Sequence, residues 1–340
     1  QDLRLITITL AMMTFVACGP IQRTRQSEDT PVRTPETENL LINLKKVSAR
    51  GFMFGHHDDT NYGIGWEGDE GRSDVKSVCG DYPAVISFDL GHIELGDTMS
   101  LDKVPFTKIR KEILNQYKRG GMSSLSWHLR NPLTGGDSWD VSDTTVVKSI
   151  LPGGANHEKF TGWVSKVSAF INSLQTEEGV KVPVLFRPWH EHTGSWFWWG
   201  EKLCTPEEYK ALWHITVDIL RNDGVDNALY AYSPGSEPQD TAQYLKRYPG
   251  DELIDLIGFD TYQFERDTYL ANLEKSLAIV DSIGKVHNKV IAITETGYEG
   301  IPDPKWWTET LLPGIGNYPI AYVLVWRNAR AVSYTHLRAH

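Results

Sequence analysis

An eight-stranded barrel of alternating strands and helices is the fold this sequence predicts, on three observations. Eight short apolar runs rich in β-branched and aromatic residues recur at 51–56, 83–89, 121–127, 182–187, 228–233, 255–260, 289–294 and 320–326. Stretches with apolar residues at spacings of three and four lie between them, at 102–119, 157–175, 205–222 and 267–284. Each apolar run also ends in a polar or aromatic residue. Near-continuous apolar strands joined by helices belong to a parallel sheet covered on both faces. Eight such units close as a (β/α)8 TIM barrel, whose functional groups gather at the C-terminal ends of the strands.

Along the chain, residues 1–18 (QDLRLITITLAMMTFVAC) form an apolar stretch behind Arg4, too short to span a bilayer, and read as a lipoprotein signal peptide. Phe15-Val16-Ala17-Cys18 resembles a bacterial lipobox with Cys18 as the lipidated residue; an ordinary secretory signal with an incidental cysteine is the alternative. Residues 19–38 are polar, rich in Thr, Pro and Glu, and aperiodic, as expected of a flexible tether. The barrel is expected over 39–331. Its strands end, in order, at His56-His57-Asp58, at Asp89 with His92, at Trp127-His128, at His190-Glu191, at Ser233, at Asp260 with Tyr262, at Glu295 and at Trp326-Arg327. In the helix at 205–222, Thr205 and Glu208 are spaced as a capping box with Pro206 at the first helical position. A last helix is expected after the eighth strand but not found in the sequence, and 332–340 (VSYTHLRAH) reads as a non-native tail.

Two glutamates stand out. Glu191 lies in VLFRPWHEHTGSWFWWG (184–200) and Glu295 in KVIAITETGYEG (289–300), each just past an apolar run. A strand end holds a carboxyl group rigidly. With Trp189, His190, Trp196, Trp198 and Trp199 around the first, the pattern suits a sugar ring stacked on indoles while paired carboxyl groups act on its glycosidic bond. The competing reading makes both glutamates structural acids paired with a cation such as Arg187. Trp198, Trp199 and Trp213 are expected in the core. The ligand-type clusters HHDD (56–59) and HEH (190–192) place adjacent residues on opposite faces of a strand, so neither a metal nor another cofactor is expected.

A net charge of −10 without a basic stripe excludes nucleic acid, while twelve Trp and fourteen Tyr suit a neutral polymer. Besides Cys18 the chain has Cys79 and Cys204, which either form one disulfide or stay as thiols.

The motifs SWHLRNP, RPWHEHTGSWFWWG, GFDTYQ, ITETG and VLVWRNA, spread over about 40–329, resemble those of glycoside hydrolase family 26. That family consists of retaining (β/α)8 enzymes with an acid/base on strand four and a nucleophile on strand seven, most often endo-β-1,4-mannanases. The resemblance implies that Glu191 is the acid/base and Glu295 the nucleophile, the latter bonded by the Tyr262 hydroxyl. It implies that His190 lies beside the catalytic centre, that Trp326 is the platform under the sugar before the cleaved bond, and that Trp196 borders the leaving-group side. His128, Asp260 and Arg327 match polar substrate contacts, with His92 and Trp139 further out. Mannan, galactomannan or glucomannan is the implied substrate. A β-1,3-xylanase, a mixed-linkage glucanase and a catalytically silent surface glycan-binding protein are the rivals. The expected setting is a monomer tethered to a bacterial envelope by its N-terminal lipid alone, or else a periplasmic or secreted protein.

Overall fold

The computed structural model describes residues 32–328. Its strands are β1 (Met53–His57), β2 (Val85–Asp89), β3 (Met122–Ser126), β4 (Val184–Arg187), β5 (Ala228–Tyr232), β6 (Leu256–Gln263), β7 (Val290–Tyr298) and β8 (Ile320–Val325). All run parallel, each pairs with the next, and β8 pairs back to β1, closing the expected (β/α)8 barrel. Helices Phe106–Lys118, His157–Asn172, Pro206–Asn222 and Arg266–His287 fall on the four periodic stretches. The third starts on the capping box, with Thr205 and Glu208 each bonding the other's backbone.

Strand alternation sorts the side chains into two layers. On β4, Val184 and Phe186 join the core between strands and helices, whereas Leu185 turns into the barrel with Val85, Met122, Leu229, Leu256, Val290 and Leu324. One step further along, the inward positions become polar: Arg187, Asp89, Ser126, Asp260 and Glu295 are all buried. The lower barrel is therefore a packed plug of apolar side chains and the upper barrel a platform of functional groups, as the fold requires.

Leu44, 1% exposed, joins the inner cluster from helix Pro35–Ser48, with Leu40 and Leu41 packed against it. Burying one such leucine stabilises by about 1.5–3 kcal/mol. This corrects the tether boundary at residue 38. Thr34 caps the helix through Thr37 N and donates its own N–H to Asp226 O, while Arg33 pairs with Asp255 at 2.5 Å. The aperiodic look of the stretch hid a helix start because Thr-Pro-Glu is also an N-terminal capping sequence. The signal-like segment, Cys18 and the tail at 332–340 lie outside the described residues. Cys79 is exposed and Cys204 buried, both as free thiols. Among the described residues no helix is long and apolar enough to cross a membrane.

Candidate active site

Glu295 lies inside β7, which runs on to Tyr298, rather than just past its end. Phe259 faces Ile293 across the β6–β7 ladder but Asp260 faces Glu295, so Thr294 is one residue too many. Such a bulge re-aims the side chains beside it. Thr294 Oγ1 can donate to Asp260 Oδ1 at 2.6 Å, while Glu295 accepts from the Tyr262 hydroxyl at 2.6 Å and from Arg187. Glycine at 258 makes room for this: a Cβ there would stand 2.6 Å from Thr294 Cγ2.

Arg187, 2% exposed at the end of β4, ties the inner wall together. Its guanidinium donates to Asp260 Oδ2 at 2.8 Å, to Ser233 Oγ at 3.0 Å and to Glu295. Burial opposes its charge, but the Asp260 and Glu295 carboxylates prevail and hold Arg187 protonated. The Tyr262 phenol is pushed well above its ordinary value by burial and by Glu295, so it remains a donor.

Glu191 follows four residues after β4, on a loop whose backbone is over-determined. Trp189 and Glu191 both adopt left-handed conformations, at φ 56° and 53°. That costs roughly 1–2 kcal/mol for each residue with a Cβ, and such strain persists where the surroundings enforce it. Trp189, fully buried, packs against Trp127, Trp198 and Trp199 with ring centroids 5.6–5.7 Å apart. Its carbonyl accepts from the Tyr209 hydroxyl at 2.7 Å, the His190 carbonyl from Trp199 Nε1 at 2.8 Å, and Glu191 N–H donates to Ser233 O at 2.8 Å. Trp198, Trp199 and Trp213 are core residues, as expected. Of the loop's indoles it is Trp196 that bonds the Glu191 carboxyl, Nε1 donating at 2.8 Å. The expected shell of indoles is thus a scaffold behind the loop rather than a lining around the acid.

One carboxylate oxygen from each of Glu191, Asp260 and Glu295 can be chosen so that all lie within 4.8 Å of one another. Arg187 bonds two of the three, and Glu191 is the one it does not bond. Burial, and after it the charge of Glu295, pushes Glu191 up to about 7. Different bonding partners for two neighbouring carboxyl groups suit a division of labour between acid and nucleophile.

A second chain of bonds backs the first. Asp89 Oδ2 takes His128 Nδ1 at 2.6 Å and Ser126 Oγ at 2.6 Å; its Oδ1 takes Gly91 N–H at 2.7 Å. Burial works against the His128 charge, but Asp89 prevails and raises it. Burial, then the Arg187 and His128 charges, keep His190 neutral. His128 Nε2 and His190 Nε2 lie 3.1 Å apart, within hydrogen-bond distance.

Of the remaining residues singled out in the sequence, Trp326 is partly exposed and stacks on His57 at 3.9 Å. Trp139, 49% exposed, lies parallel to His128 at 5.5 Å. Arg327 pairs with Asp102 and approaches the Tyr62 hydroxyl at 3.3 Å. Asp260 accepts one bond on each oxygen, from Arg187 and Thr294, and lines the cleft beside Glu191. His92, in a left-handed turn at φ 79°, stands 3.9 Å from Asp97. The reasoning that HHDD side chains must point apart fails at Asp58: its φ of 53° turns the chain and brings the carboxylate 3.3 Å from His57 Nε2. His57, Asp58 and Asp102 could in principle gather round an ion, as could the three central carboxyl groups. In each group an arginine already pairs with a carboxylate, Arg327 with Asp102 and Arg187 with Asp260 and Glu295. The sequence marks Asp89 only as a strand end and Arg187 only as a cation for structural acids, although alternation along the runs 83–89 and 182–187 turns both inward; Thr294 has no signal, because nothing in the sequence marks the bulge.

Two carboxyl groups a few ångströms apart at the mouth of a (β/α)8 barrel, one bonded to a guanidinium and the other to an indole N–H, are the arrangement that retaining glycoside hydrolases use. The chain belongs to glycosyl hydrolase family 26, whose model matches residues 30–328. A GH26 β-mannanase from Bacteroides ovatus shares 62% identity at a TM-score of 0.88, covering 89% of each chain. A modular endo-β-1,4-mannanase from Cellulomonas fimi shares 33% at 0.84, covering 91% of this chain and 72% of that one. A mannan endo-1,4-β-mannosidase of Bifidobacterium adolescentis is 33% identical over 318 residues, 87% of this chain but only 31% of the relative. The chain likewise spans 60% of the corresponding Bacillus subtilis enzyme.

Proposed function

We propose that this chain is a retaining endo-β-1,4-mannanase acting on mannan, galactomannan or glucomannan. The observation that carries the reading is the Glu191–Glu295 pair, an oxygen of each within 4.8 Å of the other, with Glu295 bonded by Tyr262 and Arg187 and Glu191 pushed up to about 7. Glu295, oriented by Tyr262 and Arg187, attacks the anomeric carbon as Glu191 protonates the glycosidic oxygen; the C–O bond to the leaving chain breaks and a glycosyl ester to Glu295 forms. Glu191, now a carboxylate, takes a proton from water, which attacks the same carbon and releases Glu295. The separation leaves no room for a water between nucleophile and sugar, which supports double displacement. Trp326 offers an aromatic face to the sugar before the cleaved bond, Arg327 offers hydrogen bonds to its hydroxyls, and His128 and His190, bonded to each other, shape the wall beside it. The relatives named as mannanases support mannan over xylan or mixed-linkage glucan as substrate. Reducing-sugar release from a panel of the three polysaccharides tests this: release from xylan or glucan with none from mannan would overturn it.

The pH profile follows from Glu191. The acid must hold its proton in the free enzyme, so kcat/KM should decline as pH rises through about 7, tenfold per unit beyond it. A profile flat to pH 9 would rule Glu191 out as the acid.

The signal-like segment supports an envelope lipoprotein anchored through Cys18. In a Gram-negative host the full chain should sediment with membranes and Cys18→Ala should not; equal partitioning of the two would exclude the anchor.

A further inference from the structure

We infer that Arg247 is a positioning residue for the proton donor: its guanidinium closes the loop 192–204 at both ends and thereby holds Trp196 on the Glu191 carboxyl. The inference deepens the glycanase reading above and rests on Glu191 being the acid. Arg247 is 3% exposed, lies just past the helix Thr241–Leu245, and is not among the described residues that line the cleft. A buried guanidinium ordinarily faces a carboxylate. Among the described residues Arg247 pairs with none: Glu201, the one acidic residue in 192–204, turns outward to Lys246 at 3.7 Å. Loop atoms take the charge instead. Nη1 donates to His192 O at 2.9 Å and to Trp199 O at 3.3 Å, and Nη2 donates to Gly200 O at 3.4 Å, to Cys204 O and to Cys204 Sγ at 3.1 Å. One side chain thus ties the residue next to Glu191 to the far end of the loop. Its guanidinium also lies 4.7 Å over the ring of Tyr209, whose hydroxyl bonds Trp189 O on the other side of the acid.

Trp196 depends on that closure. Its indole is 42% exposed, so burial does not fix it, and it rests against Gly194, where a Cβ would stand 2.1 Å from the ring. Gly194 in turn donates its N–H to Glu191 O at 3.0 Å and accepts from Glu201 N–H at 2.8 Å. The backbone of the loop places the indole, and Arg247 places the backbone. A general acid works only within hydrogen-bond reach of the oxygen it protonates, so a slack loop costs proton transfer rather than nucleophilic attack.

The dependence on the leaving group separates this role from a merely structural one. β-1,4-Mannohexaose leaves as an alcohol that needs a proton, whereas 2,4-dinitrophenyl β-mannobioside loses a phenolate that needs none. Below the Glu191 limb at about 7, Arg247→Lys should lower the ratio of kcat/KM on the hexaose to that on the aryl glycoside by about three- to tenfold, the size of one hydrogen bond. Trp196→Phe, which keeps an aromatic face but loses the N–H, should lower the ratio similarly. Adding Arg247→Lys to Trp196→Phe should lower it no further, because the two act in one chain. Arg247→Gln, with amide donors and no buried charge, serves in place of Arg247→Lys if that variant does not fold. A folded Arg247 variant with an unchanged ratio, an equal loss on both substrates, or independent losses in the double variant would overturn the assignment; so would failure of both Arg247 variants to fold, which would make Arg247 a support of the core. If Glu191→Ala leaves the ratio unmoved, or the wild type cuts neither substrate, it is the reading of the acid or of the glycanase that falls.

Discussion

Glu295→Ala is expected to abolish turnover on every substrate, because without that carboxylate nothing attacks the anomeric carbon. Glu191→Ala is expected to fail differently. It loses only proton transfer, typically worth about 10²–10⁴-fold, so an aryl mannoside with a leaving group that needs no proton should still form the glycosyl-enzyme. A rapid burst followed by slow hydrolysis is the signature. The asymmetry follows from the walls around each group: Glu295 is bonded by Tyr262 and by Arg187, while Glu191 has Trp196 and sits at about 7. A burst from Glu295→Ala and none from Glu191→Ala would reverse the assignment.

The second large effect is expected at Arg187. Arg187→Met keeps much of the side-chain bulk but strands Asp260 and Glu295, both about 3% exposed, without their cation. Removing one partner of a buried ion pair costs about 3–5 kcal/mol, and in a domain of this size that lowers the melting temperature by roughly 10 °C. Activity should fall with it, since a carboxylate without its cation takes up a proton more readily and loses nucleophilicity. Arg187→Lys retains the charge but not the planar fork that reaches three acceptors at once, so it should recover part of the stability and little of the activity. Calorimetry and hydrolysis rates check both; an unchanged melting temperature in Arg187→Met would mean that the arginine is not holding this wall together.

Much of this was legible in the chain because the barrel is a periodic object. Eight apolar runs, each ending in a polar or aromatic residue, announce both the strands and the face on which their ends converge, although Glu295 lies inside β7 rather than past its end. What was not legible came from places where the period breaks. The bulge at Thr294 shifts the ladder by one residue, and no local composition marks it. Trp189 and Glu191 adopt left-handed backbone that neither residue type favours, so the loop after β4 is shaped by tertiary packing rather than by its own propensity. Asp58 turns the same way and undoes the opposite-face argument for its cluster. Helix Pro35–Ser48 was partly concealed because its first residues are polar and its apolar side faces the barrel floor. Indoles in a row suggested a sugar-binding shell, yet most of them brace the loop from behind and one, Trp196, meets the acid.

The central claim is that Glu191 and Glu295 act on one sugar by double displacement. Proton NMR of the product first released from a β-mannan, recorded before mutarotation, tests it most directly. Retention requires the β-anomer to appear first and the α-anomer only as it equilibrates; initial release of the α-anomer would contradict the account.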